Sequence, residues 1–144
     1  MIIYRLFSCL SGKLTSSSTK HNKNKMSKSL ISKVFQAVDA ADAVALTNFI
    51  TPNGTFRFSN FPAIVGHDHI LPFLDGFFKS IKGIKHSELE IFEVGDVVIT
   101  NGVVTYTRHN GTTYSCNFSN TFKLKGDLID QYLIFVDNSK LYEE

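Results

Sequence analysis

Val103-Val104-Thr105-Tyr106-Thr107-Arg108, then Tyr114-Ser115-Cys116-Asn117-Phe118-Ser119-Asn120-Thr121-Phe122, then Leu128 through Asp137: these three runs decide the fold. Each alternates or is rich in β-branched and aromatic residues, the pattern of a strand. Asn110-Gly111 between the first two predicts a type I′ hairpin turn, because that turn needs φ > 0 at both central positions and Asn and Gly tolerate it best. Gly126-Asp127 predicts a second turn. With two-residue loops, Thr105 falls opposite Cys116 and Val103 opposite Phe118; across the next turn Cys116 falls opposite Asp137 and Phe118 opposite Phe135. Opposed residues share a face of the sheet.

One face then carries Tyr114, Cys116, Phe118, Asn120 and Phe122 on the middle strand, and Gln131, Leu133, Phe135 and Asp137 on the last. It is apolar with a few polar groups set into it. Tyr132, Ile134 and Val136 lie behind, beside Val104 and Tyr106. An apolar stripe of that kind marks an interface, so the pattern predicts a homodimer through the convex face, with Tyr106, Tyr132, Ile134 and Val136 in it. Upstream, Gly95-Asp96 sets Val94 against Val97, Phe92 against Ile99, Glu88 against Val103 and His86 against Thr105. His86 and Glu88 join the first face provided that Gly102 does not mark a bulge.

Working outward, residues 30 to 81 supply helices. Leu30, Ile31, Val34, Phe35 and Val38 fall at helical spacing; Ala45, Leu46, Phe49 and Ile50 repeat it after Asp39 or Asp42, either of which can cap the second helix. Pro52-Asn53-Gly54 stops that helix, and Thr55-Phe56-Arg57-Phe58 reads as a short strand. After a loop from Ser59 to Val65, Ile70, Phe73, Leu74, Phe77, Phe78 and Ile81 form one broad apolar stripe, with Pro72 in or near the first turn. The order is helix, helix, strand, helix, then four long antiparallel strands, an α+β arrangement with the helices against the concave face.

A chain of 144 residues, 43% hydrophobic and 19% charged, fits one globular domain. Its start is different in kind. No Asp or Glu precedes Asp39, while Arg5, Lys13, Lys20, Lys23, Lys25 and Lys28 fall in the first 28 residues beside Ser16-Ser17-Ser18. That composition reads as a disordered basic extension over 1–28, followed by the domain over 29–144. It also fits a transit peptide or an upstream start ahead of Met26. The expected compartment is cytoplasmic, or mitochondrial if residues 1–25 are a transit peptide.

Cys9 and Cys116 are too few for a disulfide framework, and no spacing resembles a zinc site. His67 and His69, flanking Asp68, read as solvated residues at a helix start rather than as a metal pair. No cofactor is expected. Nucleic acid is a poor partner because the portion after the basic extension is net acidic, and no apolar run reaches the length needed to cross a bilayer.

The chain resembles the SnoaL-like group of the nuclear transport factor 2-like superfamily over nearly all of residues 29–144. The resemblance lies in Val38-Asp39-Ala40-Ala41-Asp42-Ala43, Val65-Gly66, Gly83-Ile84-Lys85-His86, Val104-Thr105-Tyr106-Thr107-Arg108 with Asn110-Gly111, and the closing Phe135-Val136-Asp137-Asn138-Ser139-Lys140-Leu141. It implies a cone, a cystatin-like half-barrel in which a strongly bent antiparallel sheet wraps around the N-terminal helices and a pocket opens at one end. Family members include polyketide cyclases, isomerases, dehydratases and epoxide hydrolases, so the fold alone assigns no chemistry. Family enzymes use a carboxylate where this chain has Asn120, and an amide has no titrating proton.

Candidate proton-transfer residues are then Asp137 and His86, roughly 14 Å apart in a flat sheet. Both have bland alternatives: a structural histidine, and a strand-end aspartate anchoring a turn through Ser139. The candidate pocket comprises Phe56, Phe58, Phe73, Phe77, Glu88, Thr105, Tyr114, Cys116, Phe118, Asn120, Leu133 and Phe135, with Cys116 read as a small hydrophobe of the wall. Three functions fit: a domain binding a small apolar or aromatic ligand, the leading expectation; a proton-transfer enzyme of cyclase, isomerase or dehydratase type; and a dimeric interaction module whose cone is filled by its own side chains. A cavity of several hundred Å³ favours the first two and a filled one the third.

Overall fold

The computed structural model describes residues 16–143. Helix α1 (Ser16–Asp39) is followed by α2 (Ala43–Asn48), β1 (Ile50–Phe58), β2 (Ile64–Val65), α3 (His67–Lys79), β3 (Gly83–Val94), β4 (Val97–Thr107), β5 (Thr113–Lys125) and β6 (Leu128–Val136). The strands form one curved, unclosed sheet in the order β2-β1-β6-β5-β4-β3. β3 to β6 are an antiparallel meander; β1 joins its end parallel to β6. The core lies between the concave face and the helices. Ile31, Val34, Phe35 and Val38 of α1 and Ile70, Leu74 and Phe78 of α3 are all buried there.

The helical periodicities hold, with shifted ends. Asp42, not Asp39, caps α2, its side chain accepting from the Ala45 N–H at 2.9 Å. That helix stops at Asn48, and the strand read as Thr55–Phe58 starts at Ile50, taking in Pro52-Asn53-Gly54. α1 begins at Ser16, so helix occupies much of the stretch expected to be a disordered extension; the rest of that stretch, residues 1–15, falls outside the described residues.

The long strands and their turns are where they were expected, whereas β2 lies in the stretch Ser59–Val65 expected to be loop, pairing with β1 through Thr55 and Phe56, and two of the faces differ from expectation. The β4–β5 loop has three residues, His109, Asn110 and Gly111, because the Arg108 N–H donates to Thr112 O and the Gly111 N–H to Arg108 O. Only Gly111 takes positive φ, +87°; Asn110 instead turns its side-chain oxygen onto Thr112, accepting from its N–H at 2.9 Å and its hydroxyl at 2.7 Å. This is the three-residue hairpin rather than type I′, and it moves the register by one. Val104, not Thr105, therefore opposes Cys116.

The Gly126-Asp127 turn does have two residues, setting Lys125 against Leu128. One step later Leu124 pairs with Ile129 but Lys123 with Gln131, which leaves Asp130 as an extra residue, a bulge. Thr51 Oγ1 donates to its carboxylate at 3.0 Å. Beyond that bulge every β6 side chain changes face. Tyr132, Ile134 and Val136 are on the concave side, and Leu133 and Phe135 on the convex side.

A second bulge puts Glu88 and Leu89 of β3 against the single residue Gly102. Glu88 sits there at φ +53°. A Cβ on Gly102 would lie 2.7 Å from Ser87 O and 3.0 Å from the Phe118 ring, so the close approach requires glycine. At His86 the hairpin shift and the bulge shift cancel, and its ring faces inward as expected, opposite Val104 rather than Thr105.

Candidate functional site

The concave face and the helices enclose a cavity of about 30 Å³. This is room for a water or two and far below the several hundred Å³ of a preformed drug-sized pocket. Phe56, Phe58, Phe73, Phe77 and Phe118 line it, with His86 and Asn120 as polar members. Tyr106, Tyr132, Ile134 and Val136, the residues expected in a convex interface, line it as well. That expectation is corrected: the parity changes of β4 and β6 turn all four inward, and Tyr106 and Tyr132 are each 2% exposed.

The same parity change removes Thr105, Leu133 and Phe135 from the candidate wall. Thr105 shares a hydrogen bond of 2.7 Å with Ser115 on the convex face. Leu133 pairs with Thr121 and Arg57, and the Phe135 ring lies 5.2 Å under the Arg57 guanidinium. Glu88 is exposed on its bulge. Tyr114 and Cys116 keep the concave face, but farther along β5 than the cavity lining. The Tyr114 hydroxyl donates to Asp137 O at 2.7 Å. Burial pushes the Cys116 thiol up, which keeps it protonated at neutral pH. Asp137 lies past the end of β6. Its carboxylate accepts from Ser139 N–H at 3.0 Å, and hydrogen bonds from Ser139 hold it below the usual carboxylate range.

The partner that the structure gives His86 is Asp39. The Nδ1 of His86 lies 2.7 Å from Asp39 Oδ1, and the His86 backbone N–H donates to the same carboxylate at 3.1 and 3.3 Å. Lys85 Nζ reaches its other oxygen at 3.2 Å. The imidazole is packed edge-on against Phe35 and Phe118, with centroids at 4.9 and 5.0 Å. Burial lowers the pKa of His86; the hydrogen bond and charge of Asp39 oppose this without reversing it. At neutral pH the ring is therefore uncharged, with its one N–H on Nδ1 donating to Asp39. Nε2 is left with a free lone pair, and among the described residues it makes no hydrogen bond.

Two further polar groups stand unpaired. Asn120 Oδ1 and Thr100 Oγ1, neighbours in the β4–β5 ladder, are buried without a hydrogen bond. Burial first and the Asp39 carboxylate second raise the Tyr132 phenol, so it persists as a protonated donor. Among the described residues no group of three His, Cys, Asp or Glu is placed to hold a metal ion, and no helix is long and apolar enough to cross a membrane.

Asp39 was missed as a site residue because its partner is 47 positions away. One signal was present. An acid at the last position of a long helix, with no basic residue in that turn, sits unfavourably at the negative end of the helix dipole.

Comparison with known proteins agrees with this architecture. A candidate polyketide cyclase from Xanthomonas campestris pv. campestris superposes with a TM-score of 0.74 at 16% identity, covering 81% of this chain and 94% of that one. TerC, co-crystallised with polyporic acid, gives 0.71 at 18% identity over 82% and 96%. An NTF2-like protein from Anabaena variabilis gives 0.71 at 21% identity over 87% and 95%. At these identities the likeness is one of fold. No match was found among curated proteins. The family model of the SnoaL-like domain matches residues 31–132, from the buried face of α1 into β6, and the chain belongs to the SnoaL-like family.

Proposed function

We propose that the chain binds a small, flat, largely apolar molecule bearing a carbonyl or hydroxyl in its cone, and that His86 moves a proton on it. The observation that carries this is the His86–Asp39 pair: a neutral imidazole fixed through Nδ1, with an unbonded Nε2 in an apolar surround. Nε2 would take a proton from the carbon beside a bound carbonyl. The C–H electron pair becomes a C=C bond, and the carbonyl π pair moves to oxygen, where the Tyr132 hydroxyl supplies a hydrogen bond. The imidazolium returns its proton to another atom of the same molecule, so an isomerisation or ring closure needs no cofactor. The co-crystallisation of TerC with polyporic acid supports an organic acid of this kind as a probe.

The test is a panel of ketones, polycyclic phenols and polyporic acid, read by thermal shift and nuclear magnetic resonance on the full chain. Saturable binding to wild type that survives His86→Gln, together with turnover that does not, is the expected result. If no member of the panel binds, both the ligand and the chemistry fall. The cavity of about 30 Å³ favours a second reading, an interaction module with a self-filled cone; that reading then stands.

Homodimerisation through the convex face remains part of the proposal, with different residues. Phe92, Ile99, Thr121 and Leu133 form one row across four strands, and Phe135 lies two positions beyond Leu133. Phe92 and Phe135 are each about half exposed, and the Arg57 Nε between strands is buried without a partner. A largely apolar row with two half-exposed phenylalanines is a surface suited to a second copy. The cytoplasm is the proposed compartment, with the mitochondrion as alternative if residues 1–25 act as a transit peptide.

A further inference from the structure

We infer that molecules reach the cone through a doorway between Phe61 and Val136, and that the Phe61 ring sets the width of what is admitted. The inference rests on the proposed ligand-binding reading and adds to it the access route and a size-determining residue. Val136 lines both the inner cavity and an outer groove of about 440 Å³, whose other wall is the Ser59–Pro62 segment. Phe61, 52% exposed, lies over the partition. Its ring stacks on Phe58 at 6.3 Å and meets Phe73 edge-on at 6.2 Å, and both of those rings line the cavity.

The segment that carries Phe61 is tied down at one end. Ser59 donates its N–H to Ile134 O and its hydroxyl to Val136 O, both at 2.9 Å, and the Phe61 N–H donates to Phe58 O at 3.0 Å. Ser59 has φ +52°, a left-handed conformation that a serine adopts at some cost. Asn60, Phe61, Pro62 and Ala63 are all exposed. Swinging the Phe61 ring outward therefore gives up ring contacts without breaking the sheet. On the sheet side, opening would break a ladder of backbone hydrogen bonds; at the His86 end, the Phe35 and Phe118 rings close the way. The Phe61 ring packs on the outer side of Phe58 and Phe73, between the groove and the cavity of about 30 Å³, so a molecule entering from the groove has to pass its edge.

The chain contains no tryptophan, so indole emission reports indole binding directly in stopped flow. Phe61→Ala should raise both association and dissociation rates by roughly tenfold, with little change in affinity. Val136→Phe, narrowing the opposite side, should slow both. Binding by Phe61→Ala where wild type is closed to indole also supports the doorway. Unchanged rates in Phe61→Ala and Val136→Phe, or no indole binding to any of the proteins, overturns it. Normal gating without turnover on the panel overturns the proton-transfer reading alone.

Discussion

Asp39 and His86 are bound to each other twice over, ring to carboxylate at 2.7 Å and backbone N–H to the same carboxylate at 3.1 Å, so the last residue of α1 fixes both the orientation and the position of the imidazole. Asp39→Asn should keep the fold and ligand binding but lower turnover by ~10²–10⁴, because the neutral amide no longer holds the Nδ1–H tautomer as strongly. His86→Gln should do the same. Single-turnover kinetics beside equilibrium binding makes the check; equal losses in binding and turnover would assign the pair to structure.

The pH dependence of stability follows from the lowered pKa of His86. Its ordinary value is 6.5, and burial, the largest cause, lowers it in the folded state. The unfolded chain then binds more protons than the native one below that value, so stability rises with pH and is lost as pH falls from 6.5 toward the depressed native value. Melts from about pH 7 to about pH 5 should show this slope. The slope should be shallower in His86→Gln.

Gly102 tests the β3 bulge. With a Cβ placed 2.7 Å from Ser87 O and 3.0 Å from the Phe118 ring, Gly102→Ala should cost about 1–3 kcal/mol as ring and strand shift apart. Chemical denaturation measures it. A neutral substitution would mean that β3 and β4 can separate there freely.

The two faces of β6 give opposite expectations for adjacent residues. Phe135→Asp should leave the melting temperature nearly unchanged and convert a dimer to monomer in sedimentation at micromolar concentration. Ile134→Asp, which puts a carboxylate into the cavity wall, should instead unfold or strongly destabilise the chain. A wild-type monomer at high concentration would end the dimer proposal.

The element order was legible because long alternating strands and glycine turns leave few alternatives. Which way the side chains point was not. A strand has period two, so one extra residue inverts a whole face, and neither the third loop residue His109 nor the bulged Asp130 differs from an ordinary polar residue in sequence. The facing of β5, anchored by Phe118 and Phe122, survived. That of β4 and β6 did not, and Thr105, Leu133 and Phe135 went with it. His86 was placed correctly through two compensating shifts. Asp39 belongs to a different failure: its role depends on how a helix end docks on a strand, which periodicity does not encode.

The parallel pairing of β1 with β6 bears on how the chain is made. Phe56 pairs with Tyr132 and Phe58 with Ile134, across almost the whole of the sheet-forming sequence, whereas β3 to β6 meet through short hairpins. On the ribosome, α1, α2, β1 and α3 emerge with their apolar faces ready while the strand that must receive β1 is the last to be synthesised. Closing that long loop is the slow step expected for such a topology. Until β6 arrives, β1 has only the two-residue strand β2 to pair with, at Thr55 and Phe56, and this interval is when the nascent chain is most exposed to aggregation and to chaperones.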